Sequence, residues 1–453
     1  MDMNRMLIKQ GRVIDPGSGI DKICDILLEN NIILEVSDHI ELEGMSDGKE
    51  INAKGLIVSP GFVDLHAHLR EPGFEHKETI QTGTMAAVKG GFTSVCAMPN
   101  TSPAIDTPSM IEFVKMKSAT EGVCRVYPIG AVTKGRKGTS IVDFLELHEA
   151  GAVAFSDDGD PVHDSEIMRL SLEYVGPLDV PIMNHCQDLT ISPNGVMAEG
   201  EVSDFLGLKG IPNSVEEIMV ARDIALSKAT GSKVHISHVS SAGSVELLAL
   251  AKEQGLNVTS EVCPHHLTLT DENVLTDGNY YAATPDSAYD TNSKMYPPLR
   301  THSDIESLIQ GIESGIIDCI ATDHAPHDVV SKHTTFDDAA FGISVFETAV
   351  GSLMGLVQQK KISLNRLIQT MTYNPCKILG QNFKDFGTLR KGSVADLVLI
   401  DPDATWIVDT EKFVSKGKNT PLQGATLTGR VVCTIVNGNV VFDELGWTKG
   451  EVN

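Results

Sequence analysis

Eight short apolar runs, each followed by a longer stretch with helical spacing, fill the middle of this 453-residue chain and leave few architectures open. The runs cover 62–66, 93–97, 125–129, 152–155, 181–185, 233–238, 257–262 and 316–322. Strands that alternate with helices are joined by crossovers and pair in parallel, and eight such units predict a (β/α)8 TIM barrel over 57–385. The flanks have a different texture. Residues 1–56 and 386–453 read as short alternating strands broken by turn sequences such as Asp15-Pro16-Gly17, and Asn437-Gly438 between two apolar runs is a hairpin signal. The two ends are expected to join as a small composite β-sandwich domain.

Composition narrows the partners. With 36 Lys and Arg against 61 Asp and Glu, the formal charge is -25, and no basic stripe is present to replace nucleic-acid or lipid counterions. The eight cysteines are scattered through apolar runs without a Cys-x-x-Cys pair, which predicts reduced core thiols. No apolar stretch approaches the ~20 residues of a membrane span, and no export signal is apparent, so a cytoplasmic location is expected.

A barrel of this kind carries its chemistry at the C-terminal ends of its strands. His66 and His68 end the first strand with i, i+2 spacing, which aims both rings to one side. Asn100 follows the second, Asp157-Asp158 the fourth, His185 and His238 end the fifth and sixth, and Asp323 follows the eighth. Four histidines with two or three carboxylates at one rim are enough for two divalent metals. Parity turns His235 away from His238 and His324 away from Asp323, and His265 and His266 are expected to serve local packing.

The run Gly61-Phe-Val-Asp-Leu-His-Ala-His-Leu-Arg-Glu-Pro-Gly73, with Met98-Pro-Asn-Thr101 and Ala321-Thr-Asp-His-Ala-Pro-His327, resembles the dihydroorotases of the amidohydrolase superfamily. The resemblance implies that His66, His68 and Asp323 hold one zinc and His185 and His238 a second. Asp158, with Asp157 as the second choice, would bridge them in place of the carbamylated lysine of many relatives. Arg70, Asn100 and His327 would grip a substrate carboxylate, the backbone at Phe341 and Gly342 would pair with ring amides, and His68 and Tyr296 would also face the substrate. Tyr296 stands where many members carry an asparagine.

The implied reaction is the reversible closure of N-carbamoyl-L-aspartate to L-dihydroorotate and water, the third step of pyrimidine synthesis, with Asp323 as proton shuttle. A homodimer and association with aspartate transcarbamoylase are further implications. The alternatives are another cyclic amidohydrolase, such as an allantoinase or a dihydropyrimidinase, or a poorly active scaffold. Residues 277–293 look like an insertion, expected as a surface excursion, with a lid over the barrel mouth as the other reading.

Overall fold

The computed structural model describes residues 5–41, 49–275 and 288–447, so the insertion expected at 277–293 lies outside the described residues except at its end. Seven regular strands form the wall of a parallel barrel: Phe62–Ala67, Phe92–Ala97, Arg125–Pro128, Ile182–Asn184, Val234–Ile236, Val258–Val262 and Cys319–Ile320. Residues 152–155, expected as the fourth strand, are not a regular strand. They still fill the gap, because Gly130 N–H donates to Ala154 O (3.0 Å) and Met183 N–H donates to Phe155 O (2.8 Å). The chain turns at Ser156, whose Oγ accepts from Asp158 N–H at 3.0 Å, and this leaves Phe155 as the sole bridging residue to both neighbours.

The barrel closes between its last and first strands. His68 N–H donates to His324 O at 2.9 Å. The buried Asp64 side chain takes Thr322 N–H (2.8 Å) and Thr322 Oγ (2.6 Å) across the same seam. Helices pack outside, as in Ile80–Lys89, whose Thr79 cap accepts from Thr82 N–H and leaves Ile80, Ala86 and Ala87 facing the strands. A second apolar cluster, including Leu65, Cys96, Ile129 and Met183, is closed by Ile378, Leu379 and Phe383.

Strands from both chain ends share one sheet, ordered Asn439–Asp443, Thr426–Val436, Leu397–Ile407, Ile57–Pro60, Arg5–Asp15, Ile20–Glu29, Ile32–Ser37, with Lys49–Asn52 branching from Arg5–Asp15. Its two halves bury a common core of Ile8, Ile26, Ile33, Leu397, Leu399 and Ile435. The predicted hairpin is present: Val436 pairs with Asn439, and Asn437 (φ 54°) and Gly438 (φ 76°) supply the positive dihedrals of a tight two-residue turn. Two details differ from the sequence reading. Where short strands broken by turns were expected near the start, residues 5–15 form one long strand, Arg5–Asp15, because an irregularity between Ile8 and Gly11 lets it continue, with Gln10 N–H held by Asp25 Oδ1 at 2.9 Å. Ile57–Pro60 lies in the terminal sheet and not in the barrel, since it pairs with both Arg5–Asp15 and Leu397–Ile407.

Candidate metal centre and active site

The strand ends bring His66, His68, Asp158, His185, His238 and Asp323 together, all buried. His68 Nε2 lies 2.9 Å from Asp323 Oδ1. His66 Nε2 lies 3.4 Å from both Asp158 and Asp323 and has no hydrogen-bond partner. His185 Nδ1 and His238 Nε2 approach each other to 2.8 Å and lie 3.4 and 3.2 Å from Asp158 Oδ1. Asp158 therefore stands between the two histidine pairs. Asp157 does not: its carboxylate accepts from Val132 N–H (2.8 Å), Thr133 N–H (3.0 Å) and the Thr133 hydroxyl, and so caps the loop after the third strand.

The charges in this cluster are arranged for a cation. Burial alone pulls the His66 ring down, but Asp158, Asp323 and Glu261 outweigh it and hold His66 well above its usual range. Burial pushes Asp158 and Asp323 up, yet the surrounding imidazoles leave both well below the ordinary carboxylate range. Buried carboxylates facing several ring nitrogens, one of them unpartnered, form a donor set that fits divalent metal. Three buried groups can present one donor atom each at a common point: His66, His68 and Asp158; His66, His238 and Asp323; Asp158, His185 and His238.

Backbone strain marks two of these residues and the neighbouring Arg70. Arg70 (φ 61°), His238 (φ 35°) and Asp323 (φ 44°) occupy left-handed conformations at three strand exits. Such positions cost on the order of 1–3 kcal/mol each and persist where the surrounding structure enforces them.

Glu261, in the seventh strand, is the functional residue that the sequence reading missed. It accepts from His66 Nδ1–H at 2.7 Å, which leaves Nε2 to face the carboxylates, and its other oxygen lies 3.1 Å from His235 Nε2. His235 thus sits outside the cluster but steadies its support. The signal was a lone carboxylate inside the apolar run 257–262. Asn100 has a similar task, with its Oδ1 taking His68 Nδ1–H at 2.8 Å.

Above this floor lies a cavity of about 390 Å³, whose lining includes Arg70, Asn100, Tyr296, His327, Phe341 and Gly342. Burial lowers the Arg70 guanidinium to about 10, so it stays charged at neutral pH. Arg70 Nη2 is 3.3 Å from His327 Nε2, a nitrogen also 2.8 Å from Phe341 O. Burial, with Arg70 next, lowers His327 to about 2, so its ring is neutral. Tyr296 stacks on His185 with centroids 5.0 Å apart and meets Phe341 at 4.7 Å. Gly342 N–H already donates to Lys294 O (3.0 Å), so the pairing expected of this backbone with ring amides is restricted to groups other than that N–H.

The wall is fastened from behind. Asn419, buried and far away in sequence, donates to Ala325 O (3.1 Å) and Gly342 O (2.9 Å) and accepts from His327 N–H (2.9 Å). Lys332 Nζ donates to Thr291 O, Lys294 O and Ala340 O at 2.9, 3.2 and 2.7 Å. No sequence pattern pointed to either residue. A second cavity, of about 360 Å³, lies between the barrel and the terminal sheet, but its charges are paired with each other, Lys89 with Glu347 at 2.7 Å and Arg430 with Glu444 at 2.6 Å.

A family profile described as Dihydro-orotase-like matches residues 55–244, and one described as Amidohydrolase family matches 281–442. A dihydroorotase of Thermoanaerobacter sp. (strain X514) is 49% identical over 97% of this chain and 97% of its own length. One of Acetivibrio thermocellus is 47% identical over 97% of this chain and 99% of its own length. Among solved structures, an L-hydantoinase from Arthrobacter aurescens superposes with a TM-score of 0.83 at 24% identity, covering 98% of this chain and 96% of that one. A dihydropyrimidinase from Brevibacillus agri gives 0.82 at 22% identity, covering 97% and 95%. The structural matches share the barrel fold, and the sequence matches identify the lineage: the chain belongs to the dihydroorotase family of the amidohydrolases.

Proposed function

We propose that this chain interconverts N-carbamoyl-L-aspartate and L-dihydroorotate, working in the cell toward ring closure in pyrimidine synthesis. The observation that carries this reading is a half-buried, charged Arg70 beside neutral His327, across one cavity from the histidine and aspartate cluster. A cyclic amide bearing a carboxylate matches both ends of that cavity.

His66, His68 and Asp323 would hold one zinc ion, His185 and His238 a second, with Asp158 shared between them. When bound, such ions supply a water acidic enough to attack at neutral pH and polarise the ring carbonyl. The chain's own groups do the rest. Arg70 pairs with the substrate carboxylate through its planar fork. The neutral His327 ring has a single proton to place. Phe341 O, 2.8 Å from Nε2, can only accept, so that proton sits on Nε2 and holds the ring against the Phe341 backbone, and His327 borders the carboxylate end beside Arg70 without donating to it. Asp323, ionised among the imidazoles, would accept a proton from the attacking water and pass it to the departing ring nitrogen. In the closing direction the same carboxylate takes the proton from the ureido nitrogen as that nitrogen attacks. Tyr296, stacked on His185, bounds the ring and excludes water from one side.

The test is ring opening of L-dihydroorotate by the purified chain, before and after chelation, with metal content measured on the same sample. Turnover that falls with removal of two zinc ions per chain and returns with zinc is the expected result. A folded chain with two zinc ions and no turnover would contradict the reading. The free, buried state of all eight cysteines supports a reducing, cytoplasmic setting. A homodimer and docking to aspartate transcarbamoylase are proposed from family resemblance, to be tested by light scattering with and without that enzyme.

A further inference from the structure

Immediately after the seventh strand, Cys263, His265 and His266 lie side by side at 0%, 3% and 1% exposure. Each offers one donor atom, all within 4.8 Å of one another, and none belongs to the centre described above. Three of their four ring nitrogens, His265 Nδ1 and Nε2 and His266 Nδ1, have no hydrogen-bond partner. Buried polar atoms without partners are rare in native chains, and three in adjacent residues call for an explanation.

The geometry of His266 supplies one. Its Nε2–H donates to Pro297 O at 3.0 Å, which fixes the tautomer and leaves the Nδ1 lone pair free. A ring that gives one N–H to a backbone carbonyl and turns the other nitrogen inward is the usual arrangement of a metal-ligating histidine. Burial also keeps both rings in their neutral, ligating form, with His266 lowered to about 4 and His265 well below its usual value. The cluster His235, Glu261 and Cys319 makes a useful contrast, since it too offers three donors. There both ring nitrogens are already engaged, by Thr259 at 2.9 Å and Glu261 at 3.1 Å. It needs nothing further.

We propose that Cys263, His265 and His266 form an additional cation site for a borderline-soft divalent ion of the zinc class, separate from the histidine and aspartate centre. Binding deprotonates the Cys263 thiol, the proton passing to solvent, and the thiolate and two imidazoles fill three tetrahedral positions. Through His266 and Pro297 the ion braces the stretch that carries Tyr296, which makes the site a structural support for the cavity wall.

Cobalt(II) distinguishes the two sites, because the main centre contains no thiolate. The full chain, stripped and reloaded with cobalt, is expected to show a near-ultraviolet thiolate-to-cobalt charge-transfer band. The band should vanish in Cys263→Ser, with one cobalt fewer bound per chain, and persist in Cys319→Ser. No band in the cobalt-saturated parent chain, or a band that survives in Cys263→Ser, would overturn the proposal. If Cys263→Ser does not fold, Cys319→Ser decides alone: a retained band supports the site and a lost band removes it.

Discussion

The floor and the wall of the cavity are built by different means. The floor consists of side chains at strand ends, where the barrel's hydrogen-bond register sets each direction and buried partners such as Glu261 and Asn100 fix each ring. The wall consists of loop residues, Arg70, Tyr296, His327 and Phe341, held by a remote asparagine and a buried lysine. The difference separates chemistry from selection. Metal-binding groups need sub-ångström placement, which strands provide, whereas substrate choice can vary with loops on an unchanged barrel. The barrel itself is shared with hydantoinase and dihydropyrimidinase structures at 22–24% identity.

Substitutions can break the comparison, beginning where the largest effect is expected. Asp323→Ala on the floor should lower kcat by about 10²–10⁴-fold, as expected of a general acid-base group. A variant that keeps more than about a tenth of the rate removes Asp323 as proton carrier. Arg70→Met on the wall should lower kcat/KM for L-dihydroorotate about 100-fold, in line with the ~2–5 kcal/mol cost of breaking a buried charge pair, while metal content is unchanged. Loss of both metals in that variant would place Arg70 in the floor. Glu261→Gln should weaken metal affinity about 10–100-fold with little change in KM, as is typical of residues that orient metal ligands. Competition with a chromophoric chelator measures it.

Smaller effects sharpen the picture of the wall. Asn419→Ala leaves buried groups near Ala325, Gly342 and His327 unpartnered and should cost about 1–3 kcal/mol in urea unfolding while raising KM more than it lowers kcat. Equal loss of kcat and kcat/KM would mean that Asn419 acts on the transition state. A last effect, read as a slope against pH, concerns Lys332, which burial lowers from 10.5 to about 7. Its folded value lies below its unfolded one, so between about 7 and 10.5 the unfolded chain holds more protons and stability rises with pH across that window. Lys332→Met should flatten that rise by less than about 1.4 kcal/mol per pH unit. An identical slope in parent and variant would contradict the assigned shift.

The floor was the legible part of the sequence. His66 and His68 follow from strand period, and the recurrence of apolar runs with polar ends announced the barrel and its mouth. The fourth run was less regular than expected because Ser156 turns the chain at once, and the boundary at 57 misplaced a strand whose apolar residues read equally well in either sheet. The wall was legible only where the family resemblance named Arg70, Tyr296, His327, Phe341 and Gly342. Asn419 and Lys332 lie in irregular segments without period, and their roles depend on which backbone carbonyls tertiary packing brings to them. The sequence held a clue to Glu261, since a carboxylate in an apolar strand must find a buried partner.

The most direct test compares kcat/KM for L-dihydroorotate with that for 5,6-dihydrouracil, the same ring without a carboxylate, on one metal-loaded sample. This wall predicts a preference for L-dihydroorotate of at least about 100-fold, because the uncharged ring leaves the half-buried Arg70 guanidinium without its carboxylate partner. Equal or faster opening of 5,6-dihydrouracil would contradict it and would shift selection away from Arg70 and His327.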